Sequence, residues 1–166
     1  AGWTDSFDGN AFSPAGMAEW IEDTADRIRA IGGRKMLEIG VGTGMLLTRL
    51  SGDCECYWGT DISERAVAEL SSIFDESSVV SLFTQPAHEP LAAHSPIPPF
   101  DTAILNSVAQ YFPSATYLQN VIHQLVASVT PMGGRIFIGD LRSLRHLRHF
   151  HIAVQAHRLS RDAASD

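Results

Sequence analysis

The sequence has few cysteines, no long apolar run and no targeting pattern at its start. Its 166 residues include two cysteines, Cys54 and Cys56, which we expect to alternate on one strand without bridging each other. No stretch of 18 or more apolar residues occurs, which argues against a transmembrane helix. Residues 1–10 have neither a basic start nor an apolar core, so a secretion signal is not expected. We therefore predict a cytoplasmic protein with reduced thiols.

Positive charge is scarce and unevenly distributed. The net charge of the chain is −7, which is unfavourable for binding the phosphate backbone of a nucleic acid. Residues 141–166 carry five arginines and two aspartates, a net charge of +3, whereas the remaining 140 residues carry −10. This basic tail is either a solvated helix face or a surface for an acidic partner.

The chain has no internal repeats and alternates between strand patterns and helix patterns. Short apolar runs predict strands, whereas apolar residues at helical spacing behind serine N-caps predict helices. The predicted strands are 35–39, 56–61, 79–85, 100–107 and 135–139, and the predicted helices are 14–31, 43–51, 64–74, 114–128 and 141–159. This alternation indicates an α/β fold with a mostly parallel sheet and helices on both faces. We expect a single domain, formed by an N-terminal helical segment, 1–33, and a core, 34–166.

Three glycines interrupt the chain directly after the first predicted strand. Gly40, Gly42 and Gly44 precede a predicted helix, so backbone N–H groups and the positive helix end surround a site for an anion. Their spacing, G-x-G-x-G, differs from the G-x-G-x-x-G of dinucleotide sites, and no GK[ST] follows for a triphosphate. An ordinary strand-to-helix turn is the structural alternative. The remaining candidate ligand carries a carboxylate and no phosphate, and that ligand is S-adenosylmethionine.

An acidic residue ends the second predicted strand. Asp61 lies 21 residues after Gly40, where a carboxylate can accept hydrogen bonds from both hydroxyls of a ribose. The same position serves NAD, so Asp61 alone does not identify the cofactor. Together with the loop spacing, it favours S-adenosylmethionine.

Four segments resemble those of a known family. EIGVGTG (38–44) and GTDIS (59–63) are similar to motif I and its acidic partner in class I methyltransferases, which implies a Rossmann-like fold. NSVAQYFPSATYLQNVI (106–122) and GDLRS (139–143) resemble segments of the N-methyltransferase domains embedded in nonribosomal peptide synthetases. Those domains usually continue with further strands, so the resemblance implies a core without its C-terminal part and last strands. Phe7 stands where that family commonly has tyrosine.

The loop and the resemblance together indicate which residues bind the cofactor. We expect the first two glycines to approach the methionine part, Asp61 to take the ribose, and the residues after the second and third strands to flank the adenine. Purely structural roles are the alternative for Glu38 and for residues 85–87. The full predicted set is Glu38, Gly40, Gly42, Gly44, Asp61, Ile62, Gln85, Pro86, Ala87, Asn106 and Ser107.

The resemblance also implies the acceptor of the methyl group. That acceptor is the α-amine of an aminoacyl group held on a carrier protein as a thioester. The reaction is an in-line displacement, so most of the rate gain should come from placing the two reactants. Asn106, Gln110 and Tyr111 are the predicted catalytic residues, with positioning as their role. Two alternatives stay open: methylation of a free small metabolite, and a truncated cofactor-binding module without catalysis.

Two other kinds of site are not expected. Enzymes that methylate nucleic-acid amino groups carry Asn/Asp-Pro-Pro-aromatic after the fourth strand, where this chain has NSVAQY. Metal-dependent oxygen methylators need clustered carboxylates, but only Asp101 and Asp140 lie near strands four and five. His146 and His149 share a helix face beside arginines and lack a carboxylate partner, so we predict no metal. The apolar positions of the last helix are expected to pack on the sheet instead: Leu144, Leu147, Phe150 and Val154.

Overall fold

The molecule is built on a parallel sheet, and the computed structural model describes residues 3–74, 79–94, 99–131 and 133–162. The five strands are β1 Lys35–Ile39, β2 Cys56–Asp61, β3 Val80–Thr84, β4 Thr102–Asn106 and β5 Arg135–Gly139, and all their pairings are parallel. The α-helices are α1 Pro14–Ile31, α2 Leu47–Leu50, α3 Glu64–Ser71, α4 Ala115–Ser128 and α5 Leu144–Asp162. The predicted α/β fold class is confirmed.

The order of the strands determines where a ligand can lie. That order is β3-β2-β1-β4-β5, so the chain extends the sheet from β1 in one direction and then returns to its other side with β4. Such a reversal leaves a crevice at the carboxyl ends of the two strands between which it occurs. Ile39 is in register with Thr60 of β2 and with Leu105 of β4. The carboxyl ends of the three central strands therefore meet at one edge.

The central strand β1 is covered on both faces. Leu37 and Ile39 belong to a buried cluster that includes Val121 and Leu125 of α4. Glu38, which points to the opposite face because side chains alternate along a strand, is only 4% exposed. A strand buried on both faces is typical of parallel sheets, and here it places one carboxyl group in the interior.

The chain divides into two compact units, Ile21–Asp140 and a second formed by Ala1–Trp20 with Leu141–Asp166. The first unit contains the whole sheet. In the second unit, the ring of Phe7 packs edge-on against the ring of Phe150, with centroids 6.0 Å apart. The predicted division into an N-terminal helical segment and a core stays a prediction.

Two predicted element ends are wrong, and the backbone geometry gives the reason. Helix α2 begins at Leu47 rather than at residue 43, because Gly42 and Gly44 have φ angles of 54° and 76°, outside the range of a right-handed helix. Strand β4 ends at Asn106 because Ser107 has a φ angle of 59°. The other ends either match the prediction, as both ends of α1, β1, β2 and β5 do, or differ from it by one to three residues.

The two cysteines are free, but they do not alternate on one strand as predicted. Cys54 follows a 3-10 turn, Ser51–Asp53, and its thiol donates a hydrogen bond to the carbonyl of Leu50 at 3.2 Å. Cys56 opens β2. Burial raises the pKa of the Cys54 thiol to about 11, so this thiol is unreactive at neutral pH.

Helix α5 differs from its prediction in where it starts. It begins at Leu144, which is 85% exposed, whereas Val154 is buried. The expected packing of its apolar positions on the sheet stays a prediction. The rings of His146 and His149 lie 6.3 Å apart. Among the residues that the structure describes, no three His, Cys, Asp or Glu side chains form a group able to hold a metal ion. Nor does any helix in those ranges combine the length and apolar character needed to cross a bilayer.

Candidate functional site

The glycine loop lies at the carboxyl end of β1 and is bound to β2. The N–H of Gly40 donates to the carbonyl of Thr60 at 2.7 Å, and Gly40 has a φ angle of 81°. A Cβ atom at this position would overlap the side chain of Val108, and one at Gly44 would overlap Leu70 of α3. Both positions need glycine, because other chain segments approach the loop backbone closely.

Asp61 is joined directly to the glycine loop. One carboxylate oxygen accepts from the N–H of Gly42 and the other accepts from the N–H of Ser63, each at 2.8 Å. A carboxylate has about four acceptor positions, so roughly two remain for a ligand. The half-buried side chain is thus fixed beside the loop and can still accept from the two hydroxyls of a ribose.

The predicted adenine residues lie together on the β2 and β3 side of this edge. The N–H of Gln85 donates to the carbonyl of Asp61 at 2.9 Å, which brings the segment after β3 against the end of β2. Ile62 is 73% exposed, and Pro86 and Ala87 are half-buried. Apolar surface is therefore available directly after β2 and after β3.

The side chain of Gln85 is used inside the protein. Its amide nitrogen donates to the carbonyl of Glu89 at 3.1 Å, and its amide oxygen lies 2.8 Å from Nε2 of His94. The sequence interpretation placed Gln85 against the adenine and missed His94. A histidine nine residues farther along a proline-rich loop carries no sequence signal for this contact.

Glu38 lies on the buried face of β1 opposite α4 and is paired with β2. It accepts a hydrogen bond from the hydroxyl of Tyr57 at 2.6 Å. The pKa of Glu38 is raised from its ordinary 4.5 to about 8: burial is the largest cause, the bond from Tyr57 opposes the rise, and the negative charge of Asp61 adds to it. Burial likewise raises the pKa of Tyr57 well above its ordinary value. At pH 7 most Glu38 side chains are therefore uncharged, and sequence reasoning missed their partner Tyr57.

The ends of β4 and β5 carry a row of connected polar side chains. The amide of Asn106, 8% exposed, donates to the hydroxyl of Ser107 at 3.2 Å, and that hydroxyl donates to the carboxylate of Asp140 at 2.8 Å. Ser107 and Asp140 both have positive φ angles, 59° and 55°, which only a few per cent of non-glycine residues adopt. A Cβ atom at Gly139 would overlap the amide oxygen of Asn106, so this row depends on a glycine at the end of β5.

The other two predicted catalytic residues lie on the short 3-10 turn that follows β4. Gln110 is exposed, and its amide donates to the carbonyl of Ser107 at 2.8 Å. Tyr111 is 77% exposed, which rules out packing in the core as its role. Both side chains therefore stand at the rim of the edge, next to the polar row.

An aromatic group that the sequence interpretation did not identify connects the segments after β3 and β4. Nδ1 of His88 lies 2.9 Å from the hydroxyl of Tyr117, on the first turn of α4, and their rings are 4.8 Å apart. The ring of Phe112 lies 4.8 Å from that of Tyr117. The two segments are thus in contact on the α4 side of the edge.

The residues at this edge fit the functional groups of S-adenosylmethionine. A Cβ atom at Gly42 would meet only the carbonyl of Gly40, at 4.0 Å, so a ligand can approach the loop backbone there. Asp61 retains acceptor positions for a ribose diol, and exposed Ile62 offers apolar surface for a purine. Asn106 supplies a buried amide for an amino group.

Comparison with known sequences gives one family and several long relatives. A family model described as "Methyltransferase domain" matches residues 37–136. A protein of Salinispora arenicola, described as the probable non-canonical nonribosomal peptide synthetase CymA, is 42% identical over 155 residues, which are 92% of this chain and 2% of that protein. Chondramide synthase cmdD of Chondromyces crocatus is 39% identical over 168 residues, 99% of this chain and 4% of that protein. The chain thus spans only a few per cent of the length of these relatives.

Comparison with solved structures supports the fold. The N-methyltransferase NodS from Bradyrhizobium japonicum WM9 superposes with a TM-score of 0.67 at 20% identity. The superposition covers 88% of this chain and 83% of NodS. This likeness shows a common architecture for the sheet and the helices around it.

Proposed function

Because this chain belongs to the methyltransferase domain family, we propose that it transfers the methyl group of S-adenosylmethionine to the α-amine of an aminoacyl group held as a thioester on a carrier protein. The identity of the methyl donor is supported mainly by the hydrogen bond from the N–H of Gly42 to the carboxylate of Asp61. This bond places the glycine loop beside a carboxylate that can accept from the two hydroxyls of a ribose. The acceptor part is supported by the long relatives, which are described as nonribosomal peptide synthetases.

In this proposal the cofactor lies along the carboxyl edge of the sheet. Gly40 and Gly42 receive the methionine part, with Gly44 allowing α3 to pack closely. Asp61 accepts from the ribose hydroxyls, and the adenine lies between Ile62 and residues 85–87. The cofactor supplies a methyl group on a positively charged sulfur, which is already a good leaving group.

The polar row at the ends of β4 and β5 is proposed to orient the acceptor. The amide oxygen of Asn106 can accept one N–H of the neutral amine, which leaves the nitrogen lone pair free to form the bond to the methyl carbon as the bond from that carbon to sulfur breaks. The carboxylate of Asp140, reached through the hydroxyl of Ser107, would favour a positive charge on the methylated amine. Gln110 and Tyr111 at the rim are proposed to position the aminoacyl side chain. Catalysis then rests on placing amine, methyl group and sulfur in line.

A mass-spectrometric experiment tests the acceptor class. The chain is incubated with S-adenosylmethionine and either aminoacyl-loaded carrier protein or the same free amino acids. We expect one added methyl group on the carrier-bound aminoacyl group and none on the free amino acids. Methylation of the free amino acids alone would support a metabolite enzyme instead. Binding of S-adenosylhomocysteine without turnover of either substrate would indicate a cofactor-binding module without catalysis.

We also propose that the basic face of α5 contacts an acidic partner, with the carrier protein as the candidate. Arg145 and Arg148 are exposed, and charges at the rim of an interface mainly change association rates and salt dependence. Reversing both, R145E with R148E, is expected to raise KM for the loaded carrier several-fold while leaving binding of S-adenosylhomocysteine unchanged. Reversing Arg65, an 87% exposed arginine on α3, is the matched control. An unchanged KM that is also insensitive to salt would show that α5 is only a solvated face.

A further inference from the structure

The segment after β3, residues 85–94, returns over the sheet and is held at both ends. Its first residue, Gln85, is 7% exposed, and its N–H donates to the carbonyl of Asp61, the proposed ribose acceptor. Its last residue, His94, is half-buried. We call residues 85–94 the β3 loop.

The hydrogen bonds of the Gln85 amide fix its orientation and the tautomer of His94. A backbone carbonyl can only accept, so the amide nitrogen of Gln85 must face the carbonyl of Glu89, at 3.1 Å. The amide oxygen then faces His94, and Nε2 of His94, at 2.8 Å, must carry the hydrogen. One side chain therefore connects the start, the middle and the end of the β3 loop.

The ring of His94 is anchored on the sheet. It stacks on Phe83 of β3, with centroids 4.0 Å apart and an interplanar angle of 28°. It also contacts the edge of Trp58 of β2 at 6.5 Å, and Trp58 is 8% exposed and belongs to the core cluster. The Gln85 contact thus links the β3 loop to the buried core.

The middle of the β3 loop has a separate anchor. His88, which follows Ala87, contacts the hydroxyl of Tyr117 at 2.9 Å. Pro86 and Ala87 therefore lie between two fixed points, Gln85 on one side and His88 on the other. Their backbone is held in place before any ligand binds.

We propose that Gln85 and His94 are positioning residues, which hold Pro86 and Ala87 as a preformed wall for the adenine ring. This inference rests on the proposed function, since it assumes that the cofactor carries an adenosyl group. Gln85 acts through this wall, because its amide oxygen is directed to His94. Losing the donor of His94 leaves a buried acceptor without a partner, a change that commonly costs about a factor of ten or more in an equilibrium constant.

Calorimetry with two ligands tests this assignment. His94→Phe keeps a ring on Phe83 and removes the donor, whereas His94→Gln retains an amide donor of similar reach. We expect the Kd for S-adenosylhomocysteine to rise about tenfold in His94→Phe and to stay within about threefold of the unaltered chain in His94→Gln. S-ribosylhomocysteine, which lacks the adenine, should bind both variants as it binds the unaltered chain. His123→Phe, at an exposed position on α4, is the matched control.

A double-mutant cycle gives an independent readout. Gln85→Leu should weaken S-adenosylhomocysteine binding at least as much as His94→Phe, because it also removes the bond to the carbonyl of Glu89. His94→Phe should add no further weakening to Gln85→Leu, because their shared contact is already lost. Three results would each overturn the assignment. The effects of the two single variants on the Kd could multiply in the double variant, S-ribosylhomocysteine could lose as much affinity as S-adenosylhomocysteine, or His94→Phe could bind S-adenosylhomocysteine as the unaltered chain does. If the unaltered chain fails to bind S-adenosylhomocysteine, the proposed function fails first and this inference falls with it.

Discussion

Replacing Asp61 with alanine is expected to weaken binding of S-adenosylhomocysteine by about 10- to 100-fold. Hydrogen bonds to a charged acceptor contribute roughly 1.5–3 kcal/mol, and each 1.4 kcal/mol is about a factor of ten in affinity. Two effects add here. The ribose hydroxyls lose their acceptor, and the N–H groups of Gly42 and Ser63 lose the carboxylate that fixes the glycine loop. Isothermal calorimetry on the two chains measures the difference.

Two further variants separate these effects. Asp61→Asn keeps one carbonyl oxygen and loses the charge, so an intermediate Kd is expected. Asp53→Ala removes an exposed carboxylate whose partner Arg29 is 3.4 Å away, and should leave the Kd unchanged. Equal affinity in Asp61→Ala and the unaltered chain would mean that the ribose does not lie at the end of β2.

Replacing Glu38 with glutamine is expected to change how stability depends on pH. In the unfolded chain this carboxyl has its ordinary pKa of 4.5, whereas burial raises the folded value to about 8. Between these values the folded protein holds a proton that the unfolded chain has released, so stability falls as pH rises. The stability that this proton contributes is fully present below pH 4.5 and is lost as the pH rises through 8. At 1.36 kcal/mol per pKa unit, the free energy of unfolding falls by about 5 kcal/mol over this range. Glu38→Gln has no carboxyl to titrate, so this fall should be absent.

Urea denaturation across the pH range measures this effect. The free energy of unfolding of Glu38→Gln, relative to the unaltered chain, should increase from pH 5 to about pH 8 and then level off. Glu55→Gln, at a side chain that is 53% exposed, should run parallel to the unaltered chain. If the curve of Glu38→Gln also ran parallel to that of the unaltered chain, Glu38 would have an ordinary pKa in the folded state.

Features set by local sequence could be predicted. The alternation of short apolar runs with amphipathic segments gave the parallel sheet, and the fold class, the family and the enzyme class are confirmed. The two predicted serine N-caps are also confirmed, since the hydroxyls of Ser13 and Ser63 accept from the N–H groups of Gly16 and Ala66. Each of these signals lies within a few residues along the chain, where spacing determines the contact.

Features that depend on contacts between segments were missed. Tyr57 meets Glu38 only because β1 and β2 pair in one particular register, and no local pattern encodes that register. His94 meets Gln85 only after the β3 loop has folded back on the sheet. The roles of the predicted site residues, including Asn106, stay predictions.

The bonds that hold Asp61 have a consequence for ligand affinity. Because the N–H groups of Gly42 and Ser63 already hold both carboxylate oxygens, the side chain adopts one rotamer in the absence of any sugar. The loss of rotational freedom therefore occurs during folding and is not repeated at each encounter with the cofactor. Affinity for the nucleoside is thus linked to the integrity of the first two strands. A change that loosens their carboxyl ends should weaken binding even when it lies outside the contact surface.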